Sequence, residues 1–229
     1  FGEVLLASLK LKAKLYINID NDDIIIKNMA KNIVVQLKLA LRHRMKTQVL
    51  NTISAESRKR QSKSITETVL QSQAFRQAER ISIYLSTSME VDTSELLREM
   101  FRLEKQVFVP TYSGNVMEMV RLRDLNDYHR LPMTKWKIKQ PSATEGRENA
   151  MSNGHGIDLF LMPGVAFTKS GGRLGHGMGY YDRYIKRHYM MYPHKKIRLI
   201  ALAFRDQIIA EDMLPMEMHD VRLHSIITA

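Results

Sequence analysis

From Asn28 onward, apolar side chains return at every fourth position (Ile33, Leu37, Leu41, Met45 and Val49), and that spacing predicts an amphipathic helix. Asn51 to Ser54 interrupts the pattern, and Ser54-Ala-Glu-Ser57 reads as the N-cap of a second helix running toward Gln77. Ile81-Ser-Ile-Tyr-Leu85 is a short β-branched and aromatic run, the mark of a buried strand. A helix over Thr93 to Leu103 follows, then a second strand, Gln106-Val-Phe-Val109, which Pro110 is expected to stop. Met117 to Leu122 predicts a third strand, and Leu131 to Ser142 a loop containing proline and lysine. Further strands are predicted at Ile157 to Met162, ending at Pro163-Gly164, and at Ile197 to Phe204, with an edge strand at Val221 to Ile227. Strands alternating with helices predict an α/β sheet with helices on both faces. No internal repeat or low-complexity segment interrupts it, so one domain with an N-terminal helical arm is expected, residues 29–229, preceded by a leader, residues 1–28.

Composition narrows the picture. The chain has 229 residues, 44% hydrophobic and 26% charged, which excludes a wholly disordered chain, a collagen or a coiled-coil rod. It contains no cysteine, so disulfides, thiolate metal sites and thiol catalysis are all excluded. The net charge of +11 favours polyanionic ligands without choosing among nucleic acid, membrane surface, nucleotides and polyglutamates. No run approaches the roughly 18 apolar residues of a membrane span. The first residues begin without methionine, and their short apolar piece is broken by Lys10, Lys12 and Lys14, a poor fit to a secretory signal. A cytoplasmic location is expected, with a mitochondrial transit segment left open.

Chemistry concentrates in Gly171-Gly-Arg-Leu-Gly-His-Gly-Met-Gly-Tyr-Tyr-Asp182, which holds five of the eleven glycines. It follows the strand ending at Met162 and precedes a helical stretch from Tyr180 to His188, where an open α/β sheet places its ligand. Glycines let backbone amides approach an anion, a helix N-terminus adds positive potential, and Arg173 adds a fork suited to phosphate oxygens. The expectation is a phosphate cradle; a flexible glycine-rich loop without a ligand is the bland alternative. Familiar nucleotide templates fail: a G-x-G-x-x-G from Gly175 meets Tyr180, and a P-loop ending at Gly177 meets Met178 instead of lysine.

Other residues are ambiguous one at a time. Asp182 suits a helix cap or a Mg2+ ligand, and His219-Asp220 suits a solvated turn or a metal site. Lys38 and Arg42 share one helix face, either solvated or facing an anion. Glu90 lies just past a strand. Trp136, within Lys135-Trp-Lys-Ile-Lys139, either stacks on a flat ring or covers a core edge. His43, His129, His155 and His176 show no metal-ligand spacing, and neither HExxH nor GxSxG occurs.

Together these segments resemble the 5-formyltetrahydrofolate cyclo-ligases, also called 5,10-methenyltetrahydrofolate synthetases. The diagnostic stretch is Arg173-Leu-Gly-His-Gly-Met-Gly-Tyr-Tyr-Asp182, with Asp158-Leu-Phe-Leu-Met-Pro-Gly164 and Phe167 before it. Glu79-Arg-Ile-Ser-Ile-Tyr-Leu-Ser86, Trp136-Lys-Ile-Lys-Gln-Pro141, Ala201-Leu-Ala-Phe204 and His219-Asp220 extend it over residues 36–228. The resemblance implies a three-layer α/β/α sandwich with a central, mostly parallel sheet and an N-terminal helical arm. It also implies ring closure of 5-formyltetrahydrofolate to 5,10-methenyltetrahydrofolate with ATP and Mg2+, through a phosphorylated formyl group, releasing ADP and phosphate. Phosphorylation turns an amide-like oxygen into a good leaving group, so the protein's task is positioning and charge neutralisation.

Residue by residue, the resemblance implies ATP contacts at Lys38, Arg42, Arg173, Leu174, Gly175, His176, Gly177, Met178, Gly179, Tyr180 and Tyr181. It implies folate contacts at Leu85, Glu90, Trp136, His176, Gly177, Met178, Gly179 and Tyr180, and Mg2+ ligands at Asp182 and Asp220. Arg173, Tyr180 and Asp182 are the expected catalytic residues. The chain departs from the family at His224, where many members carry an acid. Small-molecule substrates are expected, with no nucleic acid or membrane partner, acting on a monomer. A non-catalytic folate and nucleotide binder of the same fold is the runner-up, and a basic nucleic-acid module comes third because no basic-aromatic strand occurs.

Overall fold

A computed structural model of the chain describes residues 24–134, 138–152 and 155–229, with backbone only for 24–27. Helix α1 (Ile24–Arg44) continues into a π-turn, Met45–Val49, and a 3-10 turn, Leu50–Thr52. It is already helical before Asn28, and its buried seam is Val34, Leu37, Leu41 and Met45, with Ile33 and Val49 half-buried. A four-residue repeat drifts by about 40° per step on a helix of about 3.6 residues per turn, so five such positions cannot share one face.

Ser54 caps α2 (Ala55–Gln71) as expected, its hydroxyl accepting from the Ser57 amide at 3.1 Å. The predicted continuation to Gln77 is broken. Ser72 turns extended, and its hydroxyl accepts from the Phe75 amide at 3.2 Å to cap a separate α3 (Gln73–Gln77). A serine hydroxyl that bonds local backbone competes with helix continuation, and here the turn delivers Phe75 to the core.

The remaining elements are β1 (Arg80–Ile83), α4 (Ser94–Arg102), β2 (Gln106–Ser113), β3 (Val116–Leu122), α5 (Leu125–Arg130) and β4 (Leu159–Met162). After them come β5 (Ala166–Thr168), β6 (Arg173–Leu174), α6 (Tyr180–Met191), β7 (Arg198–Leu202), β8 (Ile208–Ile209) and β9 (Ser225–Ile227). Six strands form the central sheet in the order β3-β2-β1-β4-β7-β9, parallel throughout except for β3. Strand alternation sorts the core into two layers. Ile81, Ile83, Leu159, Leu161, Ile200 and Leu202 pack with side chains of α2, α3 and α4. Phe160, Met162, Leu199 and Ala201 face the other way, onto Tyr181, Tyr184 and Ile185 of α6. That is the α/β/α sandwich expected.

Pro110 does not stop β2, which runs on to Ser113. Its register partner Met119 turns its carbonyl away from β2 to accept from Ala150, so the proline's missing amide points away from β3. On that side β1 pairs only as far as Phe108, and a proline costs nothing where no neighbour asks for its donor.

A second sheet, β6-β5-β8, was not legible in the sequence, because strands of two or three residues carry no period. It packs Val165, Ala166 and Leu174 against Leu41 and Met45, which seats the N-terminal helix. The chain leaves β1 toward β2 on one side and returns to β4 on the other. The crevice at the carboxyl ends of β1 and β4 is therefore the topological switch point of the sheet.

Candidate active site

Two cavities open at that crevice. The larger, about 860 Å³, lies between Tyr84, Leu85 and Glu90 after β1, Tyr112 of β2, Lys139, and the glycine-rich segment after β6. The smaller, about 410 Å³, is walled by Val35, Lys38, Leu39 and Arg42 of α1 and by Glu217, His219 and Asp220. Arg173, Gly175, His176, Met178, Gly179 and Asp182 line both. The glycine-rich segment is thus a partition with a binding space on either side.

Antiparallel pairing of Phe167 with Arg173 fixes the guanidinium at the junction. Arg173 is 5% exposed in its side chain and donates from Nη2 to Asp182 Oδ2 at 2.9 Å, while its Nε has no acceptor among the described residues. A Cβ on Gly175 would lie 2.9 Å from Arg173 Nη1, so only glycine leaves the guanidinium its place. Gly179, left-handed at φ 64°, opens α6 without a side-chain cap. The amides of Gly175 to Gly179 meet no acceptor among the described residues, and the helix start behind them adds positive potential. Arg42 closes this wall, donating from Nε to the Gly175 carbonyl at 2.8 Å.

In the larger cavity Glu90 accepts from the Thr87 amide at 2.9 Å and lies 3.5 Å from His176 Nε2. Burial pushes its carboxyl up, but the His176 and Thr87 hydrogen bonds together outweigh burial and hold it below the usual glutamate value. Glu90 is therefore an anionic acceptor inside a mainly apolar space, suited to N–H donors of a heterocycle. Burial raises the Tyr181 phenol well above its ordinary value, and its buried hydroxyl has no partner among the described residues. Tyr180 donates its hydroxyl to the Gly114 carbonyl at 2.9 Å and packs against Tyr112 with ring centroids 4.9 Å apart and the planes inclined at 53°. What Tyr180 offers this cavity is the ring, not a free hydroxyl.

The site residues expected from the sequence divide between the two spaces. Leu85, Glu90, Tyr180 and Tyr181 line the larger cavity only; Lys38, Arg42, Leu174, Gly177 and Asp220 line the smaller only. Trp136 lies outside the described residues. Asp182 and Asp220 reach the same cavity, and Asp182 Oδ1 accepts from the amide of Val221, the neighbour of Asp220, at 3.0 Å. Both Asp182 oxygens are thereby engaged. Asp220 Oδ2 takes Lys38 Nζ at 2.6 Å and the Glu217 amide at 2.8 Å. Glu217, His219 and Asp220 each offer a ligand atom within 4.8 Å of one another. Carboxylate oxygens beside a phosphate-sized space are the donor set that Mg2+ takes, so the residues fit that ion. His224 plays no part here: its Nδ1 accepts from the Leu199 amide at 3.0 Å, against β7.

The family model for the 5-formyltetrahydrofolate cyclo-ligases matches residues 34–229, which span both cavities and the partition between them. The chain belongs to the 5-formyltetrahydrofolate cyclo-ligase family. A cyclo-ligase of this name from Mus musculus is 39% identical over 203 residues, covering 87% of this chain and 97% of the mouse protein. The solved 5,10-methenyltetrahydrofolate synthetase of Aquifex aeolicus superposes with a TM-score of 0.66 at 28% identity, over 83% of this chain and 89% of that one. The corresponding synthetase from Mycoplasma pneumoniae superposes with a TM-score of 0.62 at 20% identity, over 83% and 98%, and speaks to the fold. Cyclo-ligases of this family are enzymes of folate one-carbon metabolism that convert 5-formyltetrahydrofolate to 5,10-methenyltetrahydrofolate, and this chain is an enzyme of that class. None of its described helices is long and apolar enough to cross a membrane.

Sequence reasoning missed two residues that line these cavities, Tyr112 in the larger and Glu217 in the smaller. Ending β2 at Pro110 hid Tyr112, although an aromatic residue two positions beyond the proline was the available signal. Glu217 stands two residues before His219, and an acid at that spacing was the cue.

Proposed function

We propose that the larger cavity takes the reduced pterin of 5-formyltetrahydrofolate, the smaller takes the triphosphate of ATP, and the partition brings formyl oxygen and γ-phosphate together. One observation carries this reading: Arg173, buried and with donors to spare, stands on the wall common to both spaces. The formyl oxygen attacks the γ-phosphorus and the bond to ADP breaks. N10 then attacks the activated carbon, the carbon–oxygen bond breaks, and the released phosphate carries away the N10 proton.

This chain's part is to hold, orient and neutralise. Glu90 accepts from the pterin's N–H edge, and the inclined rings of Tyr112 and Tyr180 supply aromatic surface for the ring to pack against. Open amides at Gly175 to Gly179, with Arg42 and Arg173, balance phosphate charge where it grows, and they are oriented before the reaction starts. Asp182 holds the Arg173 guanidinium in place. Asp220, with Asp182 and Glu217 beside it, would hold Mg2+, which supplies charge neutralisation for the phosphates. The substrates are small molecules, and we assign the activity to a monomer in an aqueous compartment.

The test is to incubate the protein with 5-formyltetrahydrofolate and MgATP and follow near-ultraviolet absorbance together with ADP release. One ADP per methenyl group formed is expected. Tight folate binding without nucleotide-dependent absorbance growth would show a binder, not a ligase.

A further inference from the structure

Lys38 and Arg42 stand one turn apart on α1, and a sequence pattern treats them alike. Their surroundings differ. Arg42 is fixed by its Nε bond to Gly175, and its Nη groups have no partner among the described residues. Lys38, 8% exposed, lines the same cavity as the partition but bonds Asp220 Oδ2 at 2.6 Å and Glu217 Oε2 at 2.8 Å. His219 Nε2 lies 3.7 Å from both carboxylates, at Glu217 Oε2 and Asp220 Oδ1. The ammonium therefore sits where the oxygen donors suited to a divalent cation converge.

Two carboxylates this close and this shielded repel each other unless a cation lies between them. A divalent ion held by the same oxygens would meet the ammonium at contact range, where like charges strongly disfavour each other. Lys38 and the metal are thus alternatives at Glu217 and Asp220.

We propose that Lys38 is an exchangeable internal counter-ion. It neutralises the Glu217–Asp220 pair until a metal-bearing triphosphate arrives; then the divalent cation takes the carboxylates and the ammonium passes to phosphate oxygens. Lysine suits the task, a point charge on a flexible four-carbon stem with three rotatable donors, whereas the clamped guanidinium of Arg42 does not. The exchange rests on the nucleotide reading above and adds Glu217 as a positioning residue for Lys38. Its consequence is an order: metal and triphosphate enter together, and each alone binds poorly.

The probe is Mn2+, titrated into the full chain without nucleotide and followed by the loss of its free electron-paramagnetic signal. Lys38→Met is expected to bind Mn2+ at least about tenfold more tightly than the wild type, because its carboxylates have lost their cation. The gain should vanish in Lys38→Met/Asp220→Asn. Equal Mn2+ affinity in wild type and Lys38→Met, or a gain that survives the second change, overturns the exchange.

A second arm uses Glu217→Gln with a non-hydrolysable ATP analogue and no metal. Freed of one partner, Lys38 should tighten analogue binding severalfold, and the Lys38→Met/Glu217→Gln variant should show no such gain. A gain independent of Lys38, or none at all, also overturns the proposal. Wild-type protein that binds neither the analogue nor its Mn2+ complex overturns the nucleotide reading as well. Binding of the complex without the Lys38→Met gain overturns the exchange alone.

Discussion

Arg42 Nε donates to the carbonyl oxygen of Gly175 at 2.8 Å, across 133 residues of sequence. This single bond ties α1 to the partition between the two cavities, so the N-terminal helix is a wall of the site and not an appendage. Gly177 lies under the Arg42 guanidinium at φ 112°, a backbone that favours glycine, while a Cβ there would be only in ordinary contact with Arg42 Cζ at 3.5 Å.

Replacing Arg42 tests that tie. Burial lowers the Arg42 pKa from its ordinary value, with the Asp220 charge opposing, but a guanidinium stays charged throughout the physiological range. Arg42→Lys keeps the charge and loses the fork. A charged hydrogen bond contributes about 1.5–3 kcal/mol, so calorimetric titration with an ATP analogue should show roughly ten- to hundredfold weaker binding. Unchanged affinity would place the triphosphate elsewhere.

Arg173 and Asp182 act as a unit. Arg173→Ala and Asp182→Ala should each slow methenyl formation by about 10²–10³, the scale for losing one oriented donor to developing charge. Asp182→Ala leaves Arg173 buried without its partner, at a cost of about 3–5 kcal/mol, so its thermal midpoint should fall while its circular dichroism at room temperature is retained. Wild-type turnover in either variant contradicts the assignment.

Glu90 touches only the larger cavity. Glu90→Gln removes the anionic acceptor while keeping the shape, so folate affinity should drop by about tenfold, the scale of a charged hydrogen bond, with ATP-analogue affinity unchanged. Equal losses for both ligands would mean that the partition itself had moved through His176.

Stability should depend on pH through His188, far from the chemistry. Its ring is fully buried, its Nε2 accepts from the Ile157 amide at 2.8 Å, and burial depresses its pKa from 6.5 to about 4. The folded state keeps the ring neutral while the unfolded chain takes up a proton below pH 6.5. Its contribution is therefore complete above that value and is lost as pH falls toward about 4. His224, also lowered by burial, acts in the same direction. Urea midpoints measured between pH 7 and 5 should fall with pH, and less steeply in His188→Gln; a flat profile in the wild type would contradict this.

Much of the fold is legible in the sequence. Four-residue spacing placed α1, the serine cap placed the start of α2, and short β-branched or apolar runs placed β1, β4 and β7, because an amphipathic helix carries a period and a strand buried on both faces carries a continuous apolar run. The glycine-rich segment announced a close backbone approach, and Arg173 and Asp182 announced charge beside it. The break at Ser72, the passage of β2 through Pro110 and the second sheet were not legible. The first turns on a local competition, the Ser72 hydroxyl taking the Phe75 amide where the helix could equally have continued; the second depends on how neighbouring strands pair, and the third on strands too short to show a period.

The sequence by itself determined the elements, the α/β class and the chemical types gathered near positions 173 to 182, since hydrophobic spacing, caps and glycine content act over a few residues. Only tertiary structure decided that the glycine-rich segment is a wall between two cavities, that Arg42 holds that wall, and that Lys38 turns to Glu217 and Asp220. Those contacts join segments more than a hundred residues apart. Charge and shape acting across such separations leave no local pattern, because the partners meet only once the sheet has ordered the chain around its switch point.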